Sequence, residues 1–226
     1  MTRAPRSEAE RGENLGSSRG EATRPGNPRG FPSWEALYES DVVETLPWYH
    51  RELDADFAAA LDRWKLAPGA RVLDQGTGPG TQAVALAKRG YVVTATDLAP
   101  AALAYAERKA KEQGASVTWV RDDVLATKLE GPFDAIFDRG CFHVLAPESR
   151  ASYAASMQRL LAPRGFLFLK TFSHLQPGEQ GPHRFRPEDL RAIFAERFDV
   201  IDIVDTEFQG QLDPRPRALF ATLRRR

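Results

Sequence analysis

Two carboxylates and a run of alternate glycines carry the strongest chemical signal in the sequence. Asp74 follows the apolar pair Val72 and Leu73; Gly76, Gly78 and Gly80 come after it, with Thr77 inside the turn. Glycines at this spacing let the backbone take φ values that a Cβ forbids, and let a ligand approach the main chain closely. The next run, Thr81 to Lys88, has helical composition, so its unpaired N–H groups face whatever the turn holds. The sign of that ligand is set by Asp74, which pairs with an ammonium or sulfonium and repels a pyrophosphate. Asp97 ends the apolar run Tyr91 to Thr96, where an acid of this unit accepts hydrogen bonds from both hydroxyls of a ribose. A cationic, ribose-bearing cofactor is the chemistry this set would serve.

Groups so placed need strands that deliver them to one edge and helices that cover the faces. The sequence supplies both in alternation. After an aromatic-rich opening in which Ser33 caps a small helix, Leu53 to Trp64 is an amphipathic helix and Pro68-Gly69 turns the chain into the first strand. Helix formers fill Ala101 to Gln113 behind Pro100, and Ser116 to Val120 and Phe133 to Phe137 read as strands. A helix over 147–161, a turn at Pro163-Arg164-Gly165 and the strand Phe166 to Thr171 come next. The long polar loop Phe172 to Arg186 reads as an acceptor-side lid, and Pro187 to Glu196 as a helix. Phe198 to Thr206 and Ala218 to Leu223 then follow one another without a crossover helix, so they must be antiparallel neighbours. The expected fold is α/β: a doubly wound, mostly parallel seven-stranded sheet closed by a C-terminal antiparallel hairpin.

The segment Leu73 to Gly80 and the acid Asp97 resemble motif I and the post-motif acid of class I S-adenosylmethionine-dependent methyltransferases. Thr45-Leu46-Pro47-Trp48-Tyr49 is similar to the Pro-Trp lid segment of the thiopurine and tellurite-resistance members, which are of the small-molecule type. The resemblance implies S-adenosyl-L-methionine as cofactor, held by Trp48, Asp74, Gly76, Thr77, Gly78, Gly80, Asp97, Leu98, Asp123, Val124 and Asp138. In the family an acid after the third strand meets the adenine amino group; Asp123 falls in that register, although Asp122 is as good by chemistry. Asp138 and His143, in the loop that follows Phe133 to Phe137, are the catalytic candidates, and a purely structural histidine is the alternative for His143. Trp48 offers an aromatic face to the sulfonium or is simply core. Cys141 beside Phe142 reads as a small hydrophobe.

The implied reaction is in-line displacement at the methyl carbon by an acceptor lone pair, which needs a base only when the acceptor must first lose a proton. Trp48, Tyr49, Arg139, Phe142, His143, the Phe172 to Arg186 loop and the Phe208 to Arg217 connector are the surfaces expected to face that acceptor. They mix aromatics with cations and suit a small molecule, with a thiol, selenol or metalloid as the first expectation. Two other classes stay open. Gly78 to Ala83 also fits the loose Gly-x-Gly-x-x-Gly/Ala pattern of an NAD(P)-dependent oxidoreductase, and a non-catalytic S-adenosylmethionine-binding module would keep the same pocket.

Composition narrows the partners. With 31 basic and 31 acidic side chains there is no global field to gather nucleic acid or an anionic membrane. A single cysteine forbids an internal disulfide, and the spacing of the histidines fits no metal-ligand pattern, so no metal is expected. Residues 1–30 have the composition of a disordered tail, leaving 31–226 as one methyltransferase domain with a helical lid over 31–66. The expected protein is cytoplasmic, a monomer or weak dimer, with no membrane or nucleic-acid partner.

Overall fold

The computed structural model describes residues 33–40, 43–179 and 181–226. The expectation of a disordered tail over 1–30 lies outside the described residues.

Seven strands form one path. They are β1 (Arg71–Gln75), β2 (Val92–Asp97), β3 (Thr118–Arg121), β4 (Phe133–Arg139), β5 (Leu161–Ser173), β7 (Phe198–Glu207) and β8 (Arg217–Arg225), in the order β3-β2-β1-β4-β5-β8-β7. The five central and left-hand strands run parallel, while β8 is antiparallel to both β5 and β7. This is the expected Rossmann-like sheet with its terminal hairpin. An eighth strand was not foreseen: β6 (Arg184–Phe185) pairs in parallel with the end of β5. Buried Phe185 fixes it by packing its ring on Phe142, so the far end of the presumed loop is anchored rather than free.

Helices cover both faces. The apolar residues of α2 (Ala55–Trp64) and α3 (Thr81–Lys88) pack with Val72, Ala95, Phe137 and Phe168 on one side. Those of α5 (Arg150–Leu160) and α6 (Pro187–Phe194) pack with Leu73, Ile136, Leu167 and Leu219 on the other. Because side chains alternate along a strand, adjacent positions such as Val72 and Leu73 feed opposite layers.

Local chemistry sets the element ends. Ser33 accepts from the Ala36 N–H (3.1 Å) and caps α1 (Trp34–Glu39). α2 begins two residues later than expected because Asp54 is its cap, accepting from the Asp56 N–H at 3.1 Å. Pro100 opens α4 (Pro100–Glu112) and Pro187 opens α6. A separate 3-10 turn, Pro147–Ser149, precedes α5. The turn expected at Pro163 to Gly165 is instead a bulge inside β5: Leu161 already pairs with Phe133, and the register slips before Phe166 pairs with Ala135.

Candidate functional site

β1 delivers Asp74 and Gln75, both buried, to the carboxyl edge of the sheet. The chain then turns through Gly76 and Gly78, whose φ angles are +66° and +52°. A Cβ on Gly76 would lie 2.6 Å from the Cys141 Cβ, and one on Gly78 2.6 Å from the Tyr38 hydroxyl. Both the left-handed backbone and the close approach therefore demand glycine. Asp74 fastens this turn from beneath. Its Oδ2 accepts from the Thr77 hydroxyl (2.5 Å) and from the Ala83 N–H in α3 (3.1 Å). Burial pushes its carboxyl up to about 7, only partly offset by those two bonds.

Asp97, at the end of β2, closes the cradle from the other side. Its Oδ2 accepts from the Gly78 N–H (2.9 Å) and its Oδ1 from the Ala99 N–H (3.0 Å), and burial raises its carboxyl as well. Gly80 caps α3 and lies against Ala106 of α4, and half-buried Leu98 follows Asp97. At the end of β3, Asp123 accepts from the Leu125 N–H (3.1 Å) and Val124 is buried in the core. Asp122 accepts from the Lys128 N–H (3.2 Å) through Oδ1 and leaves Oδ2 without a partner. Two more buried acceptors are orphaned, Gln75 Oε1 and Thr96 Oγ1, on residues that pair in register across β1 and β2. A glycine cradle, a carboxylate pair and orphaned polar atoms at one edge fit a polar, cationic nucleoside ligand.

The N-terminal segment expected to form a lid packs against the cradle, with the Tyr38 hydroxyl beside Gly78. Trp48 donates its indole N–H to the buried Tyr38 hydroxyl (3.3 Å), and its ring meets Trp34 edge-on at 5.9 Å. Tyr38 reaches Gly78 without having been singled out in the sequence; the aromatic-rich run around it was the available signal. The lid is pinned to α4: Glu35 accepts from the Ala101 N–H (3.0 Å), and Glu44 binds the Tyr105 hydroxyl (3.0 Å) and Lys109 (3.1 Å). Surface clefts of about 480 and 600 Å³ share Glu44, Tyr105 and Lys109, so they border the lid and the glycine turn rather than the Asp138 loop.

The Asp138 loop carries the two residues expected to be catalytic. Asp138 is fully buried and accepts from the N–H groups of Gly140 (3.1 Å), Cys141 (2.8 Å) and Phe142 (3.0 Å) and from the Tyr153 hydroxyl (2.6 Å). Burial raises its carboxyl to about 6 against the pull of those donors. Every contact the structure gives it shapes the loop, with both oxygens engaged by these donors. His143 is held as closely. Its Nδ1 accepts from the Phe172 N–H (3.1 Å), which puts the proton of the neutral ring on Nε2. Burial, with His183 and Arg139 nearby, pushes its pKa down to about 3. In this geometry the neutral His143 ring presents its N–H at Nε2. Phe142 is core, packed on Tyr153, Phe185 and Phe194. Burial pushes the Cys141 thiol up, in keeping with a small hydrophobe. Among the described residues no group of His, Cys, Asp and Glu could hold a metal ion.

Beside the Asp138 loop stands an aromatic wall. The His143 ring lies 4.9 Å from Phe172 and 5.6 Å from Phe208, and those two phenylalanines meet edge-on at 5.3 Å. Arg139, expected to face an acceptor, turns inward instead, onto Asp54 (2.7 Å) and the carbonyls of Trp48 (3.1 Å) and Gln209.

Residues 72–165 match a family described as a methyltransferase domain. The 2-heptyl-1-hydroxyquinolin-4(1H)-one methyltransferase of Mycobacteroides abscessus is 30% identical over 178 residues, covering 75% of this chain and 78% of its own. The chain belongs to the class I S-adenosylmethionine-dependent methyltransferases. The nicotinamide alternative is thereby set aside. The methyltransferase is also 31% identical to thiocyanate methyltransferase 1 of Arabidopsis thaliana over 59% of this chain and 58% of that one. Among solved structures it is similar to the Burkholderia thailandensis 1,6-didemethyltoxoflavin-N1-methyltransferase with bound 1,6-didemethyltoxoflavin and S-adenosylhomocysteine. The TM-score is 0.61 and the identity 26%, over 76% of this methyltransferase and 77% of the other chain. When bound, S-adenosylmethionine would supply an activated methyl group on its sulfonium. No helix among the described residues is long and apolar enough to cross a membrane.

Proposed function

We propose that the chain methylates a small acceptor that reaches the site already nucleophilic: an ionised thiol or selenol, or a comparably acidic hydroxyl on a planar heteroaromatic ring. Donor binding is assigned in the same reading to the glycine turn, to Asp74 beneath it, and to Asp97 as the ribose acceptor. Asp123 and Val124 flank the adenine, with Leu98 beside them and the lid residues Tyr38 and Trp48 above.

The acceptor class rests on one observation, the Phe172 N–H on Nδ1 of His143. With that lone pair taken and the ring's pKa pushed down to about 3, His143 holds a proton at Nε2 and removes none near neutral pH. Asp138 is committed to its loop and Cys141 is a raised thiol. An acceptor that must shed a proton of ordinary alcohol acidity finds no partner here, whereas a thiolate needs only orientation and a dry wall, which His143, Phe172 and Phe208 supply. The relatives' names are compatible with this chemistry: thiocyanate is an anion with a free lone pair, and a 1-hydroxyquinolone is a heteroaromatic hydroxyl that can enter already ionised. A metalloid acceptor has no specific support in the geometry.

The test is transfer of labelled methyl from the donor to a panel at pH 7.5: 4-nitrothiophenolate, thiocyanate, 1-hydroxyquinolin-4(1H)-one, a simple alcohol, an unfolded lysine-rich peptide and tRNA. Label is expected in the first three. Comparable transfer to the alcohol, the peptide or the tRNA contradicts the reading.

A further inference from the structure

We propose that Arg139 is a positioning residue of the acceptor side, tying the lid and the C-terminal connector into one wall whose spacing selects the acceptor; the inference rests on the acceptor reading above. Arg139 ends β4 and is nearly buried, at 8% side-chain exposure. Its Nε donates to Asp54 Oδ2 (2.7 Å), its Nη1 to the Trp48 carbonyl in the lid (3.1 Å), and its Nη2 to the Gln209 carbonyl in the connector. Those partners stand 85, 91 and 70 residues away in sequence, so one planar fork holds two distant regions against the end of β4: the stretch that carries Trp48 and Asp54, and the connector at Gln209. Two of the three are backbone carbonyls, which makes the position of each segment the thing being held.

The cost of this arrangement argues that the geometry matters. Buried ion pairs are often replaceable by apolar residues of similar volume without loss of stability. Here there are two buried cations. Lys170, with no exposure, binds both oxygens of Asp54 (2.8 and 2.9 Å) and Asp56 Oδ2 (2.6 Å), so Arg139 and Lys170 are balanced by two carboxylates at the base of α2. Burial alone would raise the Asp54 carboxyl, but the two cations hold it below the usual range. Both cations also face the ring of Phe208 at 5.4 Å, and Phe208 belongs to the aromatic wall with His143 and Phe172. Lid and connector touch directly as well: the Gln211 N–H donates to the Pro47 carbonyl (3.0 Å), and a Cβ on Gly210 would lie 2.2 Å from that same oxygen.

The test compares Arg139→Lys, which keeps the charge but loses the fork, with Gly210→Ala, which wedges lid from connector and leaves the ion network whole. Each is assayed with 4-nitrothiophenolate and 2-naphthalenethiolate, titrated with S-adenosylhomocysteine, and followed by amide hydrogen exchange. In both variants the ratio of kcat/KM between the two thiolates is expected to move by about tenfold, more than any accompanying change in S-adenosylhomocysteine affinity through the lid. Exchange should accelerate together in 46–50 and 208–211 and stay unchanged in 73–78. A purely structural role would lower both thiolates equally, so an unchanged ratio overturns the proposal. Acceleration in only one of the two segments overturns it too. If the wild type methylates neither thiolate, the acceptor reading fails, and the exchange pattern alone decides whether Arg139 couples the two segments. If Arg139→Lys does not fold, Gly210→Ala carries both readouts.

Discussion

The donor and acceptor sides of the cleft are built on different principles. At the glycine turn, on the proposed donor side, the contacts are short in sequence: Asp74 accepts from Thr77 three residues on, and Asp97 from the Gly78 N–H across 19. On the proposed acceptor side the contacts are long, with Arg139 and Lys170 reaching Asp54 across 85 and 116 residues. A constant ligand is met by a local turn whose geometry glycine dictates. A variable ligand is met by a wall assembled from the lid, the sheet and the connector, where a change in any one of them moves the others.

Mutations should separate the two sides cleanly. The largest effect is expected from Gly78→Val, which meets the Tyr38 hydroxyl and a φ of +52° at once; S-adenosylhomocysteine affinity should fall by about three orders of magnitude in a calorimetric titration. Wild-type binding by that variant would break the comparison at its root. Asp97→Ala removes the acceptor of two backbone N–H groups and of the ribose, and should weaken the same ligand roughly a hundredfold. pH offers a subtler handle. Because burial lifts Asp74 to about 7 in the ligand-free protein, it carries a proton below that pH, and a cationic donor favours the carboxylate. Donor affinity should therefore climb about tenfold from pH 5.5 to 7.5 and then level off, with a proton released on binding below pH 7. Asp74→Asn should flatten the curve; a wild-type curve already flat would remove Asp74 from donor recognition. The sign for stability is opposite: a raised carboxyl stabilises the empty fold at acid pH, and that contribution is lost as pH rises through about 7.

The smallest effect on chemistry is assigned to His143. His143→Ala should change thiolate turnover by less than about threefold and leave its pH profile in place. The same variant should lose about 2 kcal/mol of stability, because a buried ring leaves the wall and the Phe172 N–H loses its acceptor. Chemical denaturation separates that loss from any loss of turnover.

What the sequence revealed follows the same division. The turn was legible because alternate glycines after an apolar pair have few structural meanings, and Asp74 fixed the sign of the ligand. The terminal hairpin was legible because two successive strands lacked a crossover. Arg139 was misjudged: a cation at a strand end looks available until Asp54, on a distant helix cap, is seen to neutralise it. The signal that existed was Lys170, a lysine closing the apolar run Phe166 to Leu169, which has to be paired if the strand is central. His143 was undecidable in sequence because its role turns on which ring nitrogen is engaged, and that depends on the Phe172 N–H across a neighbouring strand. β6 was missed because two residues leave no periodicity to detect.

The central claim is that the acceptor brings its own nucleophile, and the pH dependence of turnover tests it most directly. At saturating donor, kcat/KM is measured from pH 5 to 9 for 4-nitrothiophenol and for an alkyl thiol whose own pKa lies several units higher. The account predicts that each profile rises tenfold per unit and breaks at the pKa of the thiol in use, so that the break moves with the acceptor and is the same in His143→Ala. A break at one fixed pH for both thiols, lost in His143→Ala, would show a base at work in the site and contradict it.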